Sequence, residues 1–358
     1  MSEFDEYRPP QEPRRYGKKK RGKRKRRGAG AVDGSKEERM AEGFEFSSYY
    51  GKPVVKAPPW EWPIGAYLFL GGLSGGSALL AAGAQATGNR ELRRSTRLTA
   101  FTAASAGSVF LVLDLGRPER LLNMFRVFKV TSPMSIGSWI LGAFASSAAL
   151  PALVEADDLV GGVLPGRRLV DAAAGPAGVL AGLLGGPLAG YTAVLLANTS
   201  NPTWNDARRH LPYVFVSSAA AASAGAAMVL TPVENAGPAR ALGMGAAVSD
   251  LAATRIMEDH MEPEPKRPLH QGVPGTLMRA SEWLIAAGGV GTAVAAVTKS
   301  RAVSVASGLA LMAGSACTRF GVLNAGREAV KDPSTTIGPQ KRRAQARADL
   351  STSVVTGG

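Results

Sequence analysis

Eight long stretches of apolar residues, separated by short polar segments, constrain this chain more than any other feature of its sequence. They begin after Trp60 and consist mainly of Ala, Gly, Leu and Val. A helix needs about 20 apolar residues to cross the hydrocarbon core of a bilayer. The pattern therefore predicts an all-α membrane protein with eight transmembrane helices, at 64–86, 98–115, 136–154, 172–197, 211–230, 241–257, 283–297 and 302–323.

The first 59 residues differ in kind from the rest of the chain. They hold 16 of its 42 Lys and Arg residues, including the basic run 18–27. A segment this polar cannot bury enough apolar surface to offset the entropy lost on ordering, so we expect residues 1–59 to form a disordered basic tail. The run has no interleaved aromatic residues and precedes a membrane domain, which favours a tail near anionic lipid over one that binds nucleic acid.

The distribution of basic residues predicts the orientation in the membrane. Residues 326–358 form a second basic tail, and an even number of helices places both tails on the same side. Cytoplasmic segments carry an excess of Lys and Arg, so we expect residues 60–325 in the inner (plasma) membrane and both termini in the cytoplasm. Four arginines lie between the first two predicted helices, in a loop that this orientation places outside the cytoplasm, and they disagree with the prediction: Arg90, Arg93, Arg94 and Arg97.

Cysteine and histidine usage limits the redox chemistry of the chain. Cys317 is the only cysteine, whereas an iron–sulfur cluster usually needs four. The three histidines, His210, His260 and His270, fall at helix starts or in loops, so a pair of axial haem ligands on facing helices is not expected. We therefore expect no haem or metal in this chain, and any electron transfer would use a mobile carrier.

The predicted topology gathers polar residues at the face that bears the tails. An acidic residue within a membrane helix is costly unless it is paired or transfers protons, so Asp114 could pair with Arg117 or Arg120, or move a proton. Tyr191 could belong to an interfacial aromatic belt or donate a hydrogen bond to a bound carbonyl. Asp250 and Arg319 could pair with each other or form part of a proton route. The residues at the tail-bearing face are Trp60, Glu61, Trp62, Tyr67, Asp114, Arg117, Arg120, Asn123, Tyr191 and Asn198.

Several of these residues lie in segments that resemble a known family. The segments are 66–73 (AYLFLGGL), 114–139, 191–196 and 325–340, and the segment 114–139 is the most specific. Together they resemble the polysulfide reductase membrane-anchor family, the NrfD/PsrC-like proteins. The likeness runs from about residue 60 to residue 343.

The resemblance implies eight helices in two four-helix bundles and a quinone pocket in the first bundle. It also implies a [4Fe–4S] ferredoxin-like partner subunit and, beyond it, a molybdopterin-dependent catalytic subunit. In this reading Tyr191 hydrogen-bonds a quinone carbonyl and Asp114 helps to move its protons. Further pocket residues would be Tyr67, Arg117, Asn123, Met134 and Asn198. The basic tails would place the partner on the cytoplasmic side, over the segment 114–139. The Ala/Gly/Arg-rich composition is typical of a high-GC genome, from which we expect menaquinone.

Two other functions are compatible with the same sequence. A transporter or proton-conducting protein without a quinone site would also use Gly- and Pro-interrupted membrane helices such as the one containing 182–187. A purely structural anchor would tether soluble subunits without joining the electron path. Co-purification of an iron–sulfur subunit and extraction of a quinone would distinguish the first function from both.

Overall fold

The computed structural model describes residues 53–115, 118–163 and 165–355, without the side chains of Pro118, Arg120 and residues 348–355. Residues 1–52 of the predicted disordered tail lie outside the described residues, and so does Arg117. The described residues are mainly helical and contain no β-strand, which confirms the all-α prediction.

Eleven α-helices occur in the described residues. They are α1 (Trp62–Ala86), α2 (Arg90–Asp114), α3 (Pro133–Leu159), α4 (Arg167–Ala197), α5 (Pro202–Asp206), α6 (Leu211–Leu230), α7 (Gly237–His260), α8 (Pro263–Lys266), α9 (Gly272–Thr298), α10 (Arg301–Ala329) and α11 (Ser334–Val355). A 3-10 helix, Pro118–Phe125, lies between α2 and α3. The helix α11 falls within the predicted C-terminal tail.

Seven of these helices are long and apolar enough to cross a membrane, namely α1, α2, α3, α4, α6, α9 and α10. They correspond to seven of the eight predicted spans. The eighth span, predicted at 241–257, is the 24-residue helix α7. This helix is more polar than the others because it carries Arg240, Asp250 and Arg255.

Several helices begin before the apolar stretch that predicts them, because polar residues at their starts favour helix initiation. The Asn89 side chain accepts a hydrogen bond from the Leu92 N–H at 3.2 Å, and α2 then runs through four arginines before it becomes apolar. Pro63 and Pro133 occupy the first turns of α1 and α3, where a missing N–H costs no intrahelical bond.

The eight long helices α1 to α4, α6, α7, α9 and α10 form two groups by their contacts. In the first group α1 and α3 each pack against α2 and α4, and in the second α6 and α9 each pack against α7 and α10. The groups meet mainly where α6 lies against α1 and α4. Each group contains a close glycine crossing, Gly75 with Gly185 and Gly225 with Gly308. A Cβ at Gly75 would lie 2.3 Å from the Gly185 carbonyl oxygen. Small residues permit such close helix packing in membranes.

One end of the molecule, which we call the tail face, collects the starts of α1, α3, α6 and α9 and the ends of α2, α4, α7 and α10. A cluster of buried residues at this face joins both groups of helices. It includes Ile64 from α1, Leu196 from α4, Leu211 from α6, Met278 from α9 and Leu323 from α10. The opposite end is called the far face below.

Candidate functional site

Two tyrosines of the predicted pocket share one apolar cluster within the first group of helices. Tyr67 of α1 is 3% exposed, and Tyr191 of α4 packs against the same cluster. The Tyr191 ring lies directly on Gly137 of α3, where a Cβ would come within 2.1 Å of the ring. Only a glycine leaves room for the ring there. Neither phenol has a hydrogen-bond partner among the described residues, so both hydroxyls can bond a ligand.

Asp114 lies beside this cluster at the end of α2. Its side chain is buried, with 6% exposure. Phe110 and Leu111, which lie one helical turn earlier, pack against the cluster that contains the tyrosines. Residues three and four positions apart share one side of a helix, so Asp114 lies on the side of α2 that faces the cluster. The Phe110 ring also meets Trp62 of α1 edge-on, with 5.5 Å between ring centroids.

The remaining predicted pocket residues are at the surface of the tail face. Met134 lies in the first turn of α3 and is 52% exposed. Asn123 is exposed on the 3-10 helix, and Asn198 is exposed at the end of α4. The structure thus joins Tyr67 and Tyr191 in one cluster with Asp114 beside it, whereas Asn123, Met134 and Asn198 lie at the surface.

A second polar group lies inside the second group of helices and centres on Asp250 and Arg319. Arg319 of α10 is fully buried; its Nη2 donates to the Phe215 carbonyl oxygen, and its guanidinium carbon lies 3.9 Å from the Phe215 ring centroid. Asp250 of α7 is 3% exposed and accepts a hydrogen bond from the Ser217 hydroxyl at 3.3 Å. The Arg319 Nε and Nη1 atoms have no hydrogen-bond partner among the described residues.

Hydroxyl groups from α6, α10 and one further helix, α9, extend this polar group. The Ser281 and Thr318 hydroxyls are 2.6 Å apart, and Ser218 bonds Ser315 at 2.8 Å. Asp250 and Ser281 also line a cavity of about 400 Å³ between α7 and α9, together with Glu258, His270, Arg279 and Glu282. Ionisable residues at membrane depth that face a cavity are typical of functional sites. The sequence marks Asp250 and Arg319 as unusual, but it does not reveal the cavity.

Short helices and α11 cover the tail face above the second group. The Trp204 indole donates to the Val322 carbonyl oxygen at 2.8 Å, and its ring stacks on Trp60 with centroids 5.6 Å apart. Gly326 of α10 lies beneath this ring, where a Cβ would be 2.0 Å from Trp204. Sequence reasoning missed this assembly, because nothing in the order of residues relates Trp204 to Gly326.

An ion-pair cluster holds α11 against α8. Arg342 pairs with both Glu262 and Glu264, and Arg343 donates to Glu262 at 2.9 Å. The hydrogen bond from Arg342 lowers the pKa of Glu264 to about 2. Hydrogen bonds from Arg342 and, to a lesser extent, from Arg343 also lower the pKa of Glu262. These glutamates therefore remain ionised over the whole neutral range.

Few groups in the described residues could bind a metal. No cluster of three or more His, Cys, Asp and Glu side chains is present in the described ranges. The His210 and His260 rings lie near each other, with centroids 4.6 Å apart, at the start of α6 and the end of α7. The two phenols in the apolar cluster are O–H donors, which suit the carbonyl oxygens of an organic ligand better than they suit a metal ion.

Comparison with known families identifies the family of this chain. A sequence model of the family described as polysulphide reductase, NrfD, matches residues 53–237. The match covers α1 to α6 and ends at the first residue of α7, so it includes Tyr67, Asp114 and Tyr191. No curated protein matches the chain.

Proposed function

Because the chain belongs to the polysulphide reductase NrfD family, we propose that it is the quinone-binding membrane subunit of a multisubunit oxidoreductase. It would exchange electrons between a [4Fe–4S] ferredoxin-like subunit and the quinone pool. A molybdopterin-dependent subunit would carry the chemistry of the soluble substrate. The observation that carries this proposal is the apolar cluster that holds Tyr67 and Tyr191, with the buried Asp114 beside it.

The proposed architecture has eight transmembrane helices in two four-helix bundles, α1 to α4 and α6, α7, α9 and α10. The pairing of helix contacts within each group supports this arrangement. The polar helix α7 would be the eighth span, stabilised by Ser217 and by the nearby Arg319 rather than by lipid. Basic tails at both ends of the sequence support an inner-membrane orientation with cytoplasmic termini.

The residues of the pocket suggest a division of roles. We propose menaquinone as the ligand, and a bound quinone supplies two-electron, two-proton redox chemistry. The Tyr191 hydroxyl would donate a hydrogen bond to one of its carbonyl oxygens, held in place by the contact of its ring with Gly137. The Asp114 carboxylate would exchange protons between the pocket and the tail face, because it is buried beside the cluster at the end of α2. Asn123, exposed on the 3-10 helix, would lie on the partner side of the pocket, and Arg117, three residues after Asp114 in the sequence, is a further proposed pocket residue.

Purification from native membranes tests this function. The tagged full-length chain should co-purify with a cysteine-rich iron–sulfur subunit, and an organic extract of the complex should contain a quinone in about equimolar amount. A complex that contains neither the iron–sulfur subunit nor the quinone would contradict the proposal.

One observation favours a second function, proton conduction. Asp250, Arg319 and the surrounding hydroxyl groups form a buried polar group next to a cavity, far from Tyr191 in sequence. If this group conducts protons, liposomes containing the full chain should dissipate a pH gradient, and Asp250→Asn should abolish the flux, while Asp171→Asn, at an exposed position on α4, should largely retain it. Equal flux from Asp250→Asn and from the unmodified chain would exclude this route.

A further inference from the structure

The segment between α2 and α3 exposes an unusual number of apolar side chains. Leu122, Val127, Phe128 and Val130 are each at least 60% exposed, and Leu122 reaches 75%. Exposed apolar patches of this kind mark contact with a membrane or a protein. We call residues 118–132 the connector.

Apart from Glu119 at its start, the charged residues of the connector are all basic. Arg126 and Lys129 are exposed among the apolar residues, and no acidic residue occurs from residue 120 to residue 154. Alternating apolar and basic residues are typical of segments that lie in the interface of a membrane with anionic headgroups.

Several backbone groups of the connector already have hydrogen-bond partners within the protein, as a weakly polar environment requires. The Ser135 hydroxyl accepts a hydrogen bond from the Lys129 N–H at 3.0 Å and donates one to the Val127 carbonyl oxygen at 3.0 Å. The Ser132 N–H bonds the Lys129 carbonyl oxygen at 3.0 Å. Backbone groups that enter the interface without such partners would lose the hydrogen bonds they make with water.

Aromatic rings fix the connector to the start of α3. Phe125 and Phe128 both meet Trp139 edge-on, with ring centroids 5.7 Å and 6.0 Å apart. Trp139 is still 40% exposed, and Leu113 at the end of α2 is 58% exposed. The patch is therefore continuous with the outer surfaces of α2 and α3, which are membrane-spanning helices in the proposed architecture. Tryptophan is enriched at the level of the headgroups.

We propose that the connector is inserted into the headgroup region at the tail face, with Leu122, Val127, Phe128 and Val130 among the upper acyl chains. Arg126 and Lys129 bind the phosphate groups of anionic phospholipids. The apolar half of the segment 114–139 then faces lipid, and a soluble partner contacts the tail face beside it. This inference concerns the surface of the chain and holds whether or not a quinone binds near Tyr191.

Site-directed fluorescence in nanodiscs tests this insertion. Because Cys317 is the only cysteine, Cys317→Ser provides a background for Leu122→Cys and Val130→Cys, each labelled with an environment-sensitive dye. Val290→Cys on α9, where the side chain is 67% exposed, gives the lipid control, and Lys341→Cys on the exposed side of α11 gives the aqueous control. Nanodiscs would contain phosphatidylcholine with phosphatidylglycerol, and quenching by spin-labelled lipid would be compared with quenching by iodide.

Insertion predicts that labels at 122 and 130 are quenched by lipid labelled near the headgroup and are about five-fold less accessible to iodide than the label at 341. In nanodiscs of phosphatidylcholine alone, or in the Arg126→Gln/Lys129→Gln background, iodide accessibility at both positions should rise. Iodide accessibility equal to that at 341 would overturn the proposal. Protection that appears only when the co-purifying soluble subunits are present would also overturn it and would assign the connector to a protein partner.

Discussion

Arg97 of α2 donates a hydrogen bond from its Nη1 to Oε1 of Glu155 on α3 at 2.9 Å, and both side chains are buried. The same carboxylate accepts a hydrogen bond from Arg93 at 2.8 Å, and Arg97 also bonds Gln85 of α1. A third arginine, Arg94, lies 3.8 Å from the same carboxylate, so one acidic residue pairs with three of the four arginines that disagree with the predicted orientation. These arginines connect helices toward the far face, opposite the candidate pocket.

Glu155→Gln should destabilise the protein strongly. The change leaves Arg97 buried without its counter-charge, and the loss of one partner from a buried ion pair typically costs about 3 to 5 kcal/mol. Thermal unfolding in detergent should show a much lower midpoint for Glu155→Gln than for Glu91→Gln. The Glu91 carboxylate is exposed and makes a single long contact, 3.9 Å, with Arg94. Similar midpoints for the two variants would show that the Glu155 cluster does not hold the helices together.

The glycine crossing between α1 and α4 gives a matched pair of substitutions. Gly75→Ala would place a Cβ 2.3 Å from the Gly185 carbonyl oxygen and force the two helices apart, whereas a Cβ at Gly71 meets nothing within 4 Å. We expect Gly75→Ala to lower the free energy of unfolding by about 1 to 3 kcal/mol, as overpacking does. Gly71→Ala should be neutral or slightly stabilising, because alanine favours helix more than glycine does. Equal unfolding midpoints would contradict the close approach of α1 and α4.

The starts and ends of most helices could be predicted from the sequence, because hydropathy reports where a chain enters lipid. The span predicted at 211–230 coincides with α6, since His210 and Thr231 bound a mainly apolar stretch without a charged residue. The span predicted at 98–115 begins eight residues late, at 98 instead of Arg90, because arginines paired with Glu155 continue the helix without adding hydropathy.

The pairing of distant residues could not be predicted. Hydropathy does not fix the rotation of a helix about its axis, so it does not show that Tyr191 meets Gly137 or that Trp204 covers Gly326. The same limit applies to the cavity beside Asp250, which depends on how α7 and α9 diverge. For the candidate pocket, the sequence predicted which face bears the residues but not that Tyr67 would be buried and Met134 exposed.

The docking of α11 against α8 should weaken at low pH. Arg342 depresses the pKa of Glu264 from 4.5 to about 2 and also lowers that of Glu262, so both glutamates contribute stability above their ordinary pKa values. This contribution is lost as the pH falls from 4.5 toward 2, because the carboxylates then accept protons. Limited proteolysis with an acid-active protease should cleave α11 faster at the lower pH values. Arg342→Gln should remove most of this pH dependence, whereas Arg347→Gln should retain it.

Asp114→Asn should impair proton transfer more than binding. An amide keeps the size of the side chain but cannot carry a proton, and a positioned acid or base typically contributes about 10²- to 10⁴-fold to a rate. We expect the quinone-linked turnover of the purified complex to fall by at least tenfold, with little change in the apparent affinity for quinone. The exposed Asp171→Asn serves as the control. Unchanged turnover would remove Asp114 from the proton path.

The central claim is that Tyr191 contacts a quinone, and a binding measurement on the purified complex tests it most directly. Titration with a water-soluble quinone should show that Tyr191→Phe binds about 3- to 10-fold more weakly than the unmodified complex, which corresponds to the loss of one hydrogen bond. Tyr213→Phe, at an exposed position on α6, should bind as the unmodified complex does. Equal affinity for Tyr191→Phe and Tyr213→Phe would place the quinone elsewhere and contradict the account.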